Sequence, residues 1–319
     1  MSHLPPKLKV DFTGAPRSKS GKETEMQAVI AFPDIPNGIP IPLFGLDFTL
    51  RFYALAYMAG LIAGWRIIVA LMRRPQLWPA GTAPMEPRRV EDLLTAIVIG
   101  VIVGGRLGYV LFYSPGHYLA NPLDIPKVWQ GGMSFHGGFL GVIAAGLWFC
   151  RRHGVPAMQL SDAMALVAPV GLFLGRIANF INAELWGRPS DAPWAVIFPG
   201  EAAQDCAGIA AGACARHPSQ LYEAGLEGLV LGLILSLLLR GGALGRPGTI
   251  TGAFLLGYGL SRAFVELFRQ ADAQFIAPGD PMGYVLNFGG WGLSMGQVLS
   301  LPMIAAGLWF LLRARKAVA

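Results

Sequence analysis

Two stretches of this chain carry charge amid leucine, valine and alanine. In Gly175-Arg176-Ile177-Ala178-Asn179-Phe180-Ile181-Asn182-Ala183-Glu184-Leu185-Trp186-Gly187-Arg188, Arg176 and Asn179 stand one helical turn apart, and Glu184 follows. In Tyr258-Gly259-Leu260-Ser261-Arg262-Ala263-Phe264-Val265-Glu266-Leu267-Phe268-Arg269, the spacing of Tyr258, Arg262 and Glu266, with Arg269 beyond them, predicts one polar stripe along a helix. A charge at membrane depth costs roughly 2.5 kcal/mol or more, so such residues face a protein interior or a water-filled cavity and mark function. Arg106 in an earlier apolar run, and Arg51 beside Tyr53, add further guanidinium groups. Guanidinium is planar and forks onto phosphate oxygens, so several at one depth predict a site for an anionic phospholipid headgroup. The plainer alternative is an Arg262–Glu266 pair that only ties helices together.

A proton acceptor is the other requirement of such chemistry. His136 lies in Gly131-Gly132-Met133-Ser134-Phe135-His136-Gly137-Gly138, at the start of an apolar run whose glycines admit a second backbone or a lipid. Alone it reads as a packing residue; with Arg176, Arg262, Glu266 and Tyr53 at similar depth it becomes a candidate base. His217-Pro218-Ser219-Gln220-Leu221-Tyr222-Glu223 opens another apolar run, where the histidine and glutamate either cap a helix or join the site. Asp162 reads as an end cap rather than a catalytic group, and Trp186 as an interfacial aromatic.

The elements that must position these groups are membrane helices. The chain is 54% hydrophobic and 14% charged, against about 25% charged for a soluble domain. About seven segments are long and apolar enough to span a bilayer; they lie near 50–72, 92–113, 135–150, 163–183, 219–239, 249–268 and 297–313. The expected fold is an all-α, polytopic integral membrane protein. Arg73, Arg74, Arg88, Arg89, Arg151, Arg152, Arg240, Arg246, Arg313, Arg315 and Lys316 fall in alternate loops or after the last span, which predicts the N-terminus outside and the C-terminus in the cytoplasm. Residues 1–45, rich in proline and without the apolar core of a signal peptide, read as a flexible extension, and 46–319 as the transmembrane catalytic domain with an external loop at 184–217. The net charge of +6 reflects topology and this tail, not a nucleic-acid surface. Cys206 and Cys214 share the external loop, where an oxidising compartment permits either a disulfide or a free pair. Cys150 reads as a packing thiol. No spaced His/Cys set suggests a metal, no cofactor is expected, and no long internal repeat suggests a transporter.

At these motifs the chain resembles the bacterial prolipoprotein diacylglyceryl transferases over roughly residues 48–313. It departs from them at Ala178 and Ala183, where glycine is common, at Phe52, where tryptophan is common, and at Arg51, where some members have histidine. The resemblance implies transfer of the diacylglyceryl group of phosphatidylglycerol to the lipobox cysteine of a prolipoprotein, leaving a thioether and releasing glycerol 1-phosphate. It implies that Arg176 and Arg262 bind the headgroup and departing phosphate, with Glu266 orienting Arg262. Asn179, Tyr53, Gly187, Tyr258, Arg106 and Arg269 then contribute to substrate binding. Thiolate is the nucleophile, so His136 or Glu184 removes the proton, or the arginine field alone suffices. His136, mostly neutral near pH 7, is the favoured base. An anion carrier would use the same arginines as a permeation path, and a scaffold would tolerate Arg176→Leu.

Overall fold

The computed structural model describes residues 30–43, 46–206, 214–271, 273–276, 280, 282–289 and 291–316. Most of the proposed N-terminal extension, and Asp272 of the loop after the sixth apolar run, lie outside these residues. Residues 30–43, read from sequence as part of the extension, include β1 (Ile30–Ala31) and β2 (Gly38–Leu43). The latter forms an antiparallel hairpin with β3 (Leu46–Arg51). Then follow α1 (Phe52–Met72), α2 (Arg89–Phe112), the short α3 (Pro115–Ala120), α4 (Phe135–His153) and α5 (Ala157–Ile181). A small lobe holds β4 (Val196–Ile197), α6 (Glu201–Gln204) and β5 (Ala215–Arg216). The next rod is continuous: α7 (Ser219–Glu223), a π-helical stretch Ala224–Val230, and α8 (Leu231–Arg240). After α9 (Thr249–Val265), a hairpin of β6 (Tyr284–Asn287) and β7 (Gly292–Ser294) leads into α10 (Met295–Lys316).

Among the described residues, five helical rods are long and apolar enough to cross a membrane: Phe52–Met72, Arg89–Phe112, Ala157–Ile181, Ser219–Arg240 and Met295–Arg315. The chain is therefore a mostly helical, polytopic membrane protein. The other two expected spans are also helices. Glycines and a basic last turn dilute the hydropathy of α4, and α9 has 17 residues.

Close helix pairs rest on glycine. A methyl group on Gly100 of α2 would lie 2.5 Å from the Gly141 carbonyl oxygen of α4. On Gly307 of α10 it would lie 2.5 Å from the Leu256 nitrogen of α9. Small residues let such backbones touch where no water drives association. Helix α5 is the hub, meeting α1, α4, α8, α9 and the π-helical stretch. Asp162 of α5 is fully buried. Its carboxylate accepts from Gly248 N and Thr251 N, each at 2.7 Å, and so satisfies the first turn of α9 from 86 and 89 residues away. It is an end cap, as its type suggested, but of a different helix.

Candidate active site

The three glutamates and three arginines of the site come from separate elements. Arg176 lies in the last two turns of α5. Glu223 and Glu227 lie on the α7 to π-helical rod, one turn apart. Arg262 lies on α9, and Glu266 immediately after it. The chain turns away there: Arg269 pairs its backbone with Gly187 and reaches the site from an extended segment. The helical stripe expected from sequence thus ends with Glu266.

Glu223 is the centre. Its Oε1 accepts from Arg262 Nη1 at 2.8 Å and from Arg269 Nη1 at 3.2 Å, while Arg176 Nε is 3.0 Å from Oε2. Arg262 Nη2 lies 2.8 Å from Glu266 Oε2, and Arg176 Nη2 lies 3.8 Å from Glu227 Oε2. The exposures are unequal in a way that matters. Glu223 and Glu227 side chains are 0% exposed and Glu266 is 8%, whereas Arg176, Arg262 and Arg269 retain 18%, 17% and 14%. The carboxylates form the floor and the guanidiniums form the accessible surface, so an approaching ligand meets positive charge.

A second polar group borders this cluster. Asn179 donates to Glu184 Oε1 at 2.8 Å, Gln220 Nε2 donates to the Glu184 carbonyl at 2.6 Å, and Ser219 donates to the Leu185 carbonyl at 3.1 Å. The turn that carries Glu184 needs left-handed backbone at Ala183 (φ 53°) and Leu185 (φ 57°). Glycine would meet that requirement without strain at Ala183. Tyr53, hydrogen-bonded to Tyr57 at 2.9 Å, lies within the electrostatic reach of Glu184 and Arg176. Tyr258, one turn before Arg262, lies in the field of Glu227, Arg176 and Glu223.

Other expected site residues stand outside the ion-pair cluster or act differently. His136 is exposed in the first turn of α4 and, among the described residues, makes no hydrogen bond or ion pair with the cluster. Arg106 is 4% exposed. It donates to the carbonyls of Asp124, Ile125, Gly131 and Gly132, holding the loop that leads to His136. On this loop the Lys127 ammonium holds the half-buried Asp124 carboxyl below its usual range. Gly187 stands at a three-way backbone junction, its nitrogen donating to the His217 carbonyl at 2.8 Å, and a methyl there would lie 2.5 Å from the Phe268 carbonyl oxygen.

The lobe over this end of the bundle is pinned by Arg216, 2% exposed. It donates to the carbonyls of Ala203, Asp205 and Gly187 and stacks 4.0 Å from the Trp186 ring centre. Trp186 is therefore a packing partner of the lobe. Cys206 and Cys214 form a disulfide beside it. Burial lowers the pKa of His217, whose ring lies 3.0 Å from the Tyr222 hydroxyl. A cavity of about 410 Å³, lined by residues including Met72, Arg89 and His153, sits at the opposite helix ends and takes no part in the site.

Sequence reading missed Glu227 and left Glu223 open as a cap. Their spacing at i, i+4 in an apolar run was the signal available. The cysteine pair, left open from sequence, is bonded.

The model of the prolipoprotein diacylglyceryl transferase family matches residues 41–313. A phosphatidylglycerol–prolipoprotein diacylglyceryl transferase of Ruegeria pomeroyi is 63% identical over 292 residues, covering 91% of this chain and 99% of that protein. One from Roseobacter denitrificans is 58% identical over 294 residues, covering 92% and 100%. One from Rhizobium leguminosarum bv. trifolii is 48% identical over 293 residues, covering 92% and 96%.

Proposed function

The chain belongs to the prolipoprotein diacylglyceryl transferase family, and from that premise we propose how its arginine cluster serves the transfer of the diacylglyceryl group of phosphatidylglycerol to a prolipoprotein cysteine. The observation that carries the proposal is the layered cluster: three partly open guanidiniums over fully or nearly buried carboxylates. Such a surface binds a phosphodiester and stabilises the charge that grows on it as the ester bond breaks.

The cysteine sulfur attacks the glyceryl carbon that bears the phosphate. A carbon–sulfur bond forms, the carbon–oxygen bond breaks, and glycerol 1-phosphate leaves. Arg176 and Arg262 take the phosphate oxygens, with Arg269 beside them and Glu266 orienting Arg262. Tyr53, Tyr258 and Asn179 position the lipid. The thiol proton goes to His136, which is exposed and uncommitted among the described residues. The alternative acceptor, Glu184, already accepts from Asn179.

The same reading sets the protein in the bacterial inner membrane with seven spans, α4 and α9 included, and 46–319 as the catalytic domain. It places the N-terminus outside and the C-terminus in the cytoplasm. Arg73, Arg74, Arg151 and Arg152 lie at the helix ends opposite the arginine cluster, which supports a cytoplasmic assignment for those ends. The Cys206–Cys214 disulfide on the side of the cluster supports an oxidising compartment there.

The test uses purified protein, phosphatidylglycerol and a lipobox peptide. Thioether-linked peptide and free glycerol phosphate are expected in equal amounts. Lipid binding without either product would instead mark an anion carrier.

A further inference from the structure

Glu227 is a buried acidic side chain of the cluster to which the proposed chemistry gives no task. It is 0% exposed, and neither carboxylate oxygen accepts a hydrogen bond from the described residues. The cation paired with it is Arg176, at 3.8 Å, whereas Glu223 and Glu266 are each met by a guanidinium at 2.8 Å. Its place is set by the backbone. A methyl group on the adjoining Gly228 would lie 2.6 Å from Phe173 Cβ, so the π-helical stretch lies hard against α5. A carboxylate removed from water and without a donor persists as an anion only through its cation. That cation is the guanidinium assigned above to the lipid phosphate.

We propose that Glu227 and the lipid phosphate compete for Arg176, so that binding of the anionic donor is coupled to uptake of one proton by Glu227. The inference rests on the anion-binding reading above. When the phosphodiester takes the guanidinium, Glu227 loses its counter-ion and takes a proton from the medium; one negative charge enters the site and one proton enters with it. When the phosphate leaves, Arg176 returns to Glu227 and the proton is released.

The charged and titratable groups around Glu227 are Arg176 from α5, Glu223 on its own rod, Tyr258 and Arg262 from α9, and Arg269. The guanidiniums remain charged throughout the accessible pH range, and a phosphodiester keeps a fixed charge across it, so neither supplies the proton exchange. The sign follows: donor affinity is highest at low pH and falls as pH rises, because an ionised Glu227 holds Arg176 against the ligand.

The experiment is calorimetric titration of the full-length protein in uncharged detergent with short-chain phosphatidylglycerol, in buffers of different ionisation enthalpy at about pH 6.5 and about pH 8.5. Uptake of about one proton per lipid is expected over the pH range in which affinity falls by up to about tenfold per unit. Glu227→Gln should take up none and bind with pH-independent affinity. Wild-type binding without proton uptake overturns the proposal and leaves the anion-binding reading intact. Failure of the wild type to bind the lipid at either pH overturns both. Uptake undiminished in Glu227→Gln likewise overturns the proposal; should that variant not fold, Glu227→Met takes its place in the same proton count.

Discussion

Replacing Glu223 by glutamine keeps its shape and removes its charge. Arg262 Nη1, Arg176 Nε and Arg269 Nη1 lie 2.8, 3.0 and 3.2 Å from its oxygens. At such distances and an effective dielectric of about 20, each pair is worth about 5 kcal/mol before desolvation is subtracted. The net cost is smaller than three such terms, because the guanidiniums keep 14–18% exposure and water replaces part of the lost attraction. Removing one partner of a buried ion pair costs about 3–5 kcal/mol, and that is the loss expected for Glu223→Gln. The arginines should also part, and a displacement of about 1 Å at a reacting centre can reduce rate by about 10²-fold. Thermal unfolding in detergent reads the first effect and peptide lipidation the second. The double variant Glu223→Gln with Arg269→Gln restores charge balance and should recover about 1–3 kcal/mol relative to the single variant. A Glu223→Gln protein that unfolds at the wild-type temperature and lipidates peptide at the wild-type rate would refute the view that this carboxylate gathers the arginines.

Arg176→Lys and Arg262→Lys keep the charge but lose the planar fork. Each should lower transfer by about 10²-fold or more while the protein stays folded, as judged by lipidation rate and size-exclusion profile. Gly296→Ala places a methyl 2.5 Å from Glu266 Oε2, so it should displace Glu266 from Arg262 and slow transfer. Gly171→Ala, with nothing within 4 Å of the added carbon, should not. His136→Gln should retain lipid binding and slow transfer by roughly 10²–10⁴-fold; the rate should partly recover toward about pH 8.5, where the peptide thiol ionises unaided. Equal slowness at pH 7 and pH 9 would make His136 a donor-positioning residue. Burial lowers the pKa of His217, so the folded state binds fewer protons than the unfolded one. Stability should therefore fall as pH drops below about 6.5, and His217→Phe should flatten that dependence in melts at about pH 7.5 and about pH 5.5.

Much of the architecture is readable from local pattern. Apolar runs of bilayer length coincide with α1, α2, α5, the Ser219–Arg240 rod and α10, because a membrane imposes the same requirement on each span separately. Arg176, Arg262 and Glu266 stood out for a related reason: charge in such a run needs a partner, whatever that partner is. The partner itself could not be read. Glu223 meets Arg262 39 residues away and Arg269 46 residues away, and no local spacing records which faces of α5, α7 and α9 converge. From sequence Glu223 stands equally as a helix cap or a site residue, and Arg106 as another phosphate ligand, whereas the Arg106 guanidinium donates to loop carbonyls. Arg269 continued a helical count along a backbone that had already left the helix, yet it reached the same carboxylate. Side-chain type and helical period specify which groups must be satisfied; only the packing of distant helices decides by whom, because hydrogen bonds and ion pairs act over a few ångströms of space, however long the chain between them.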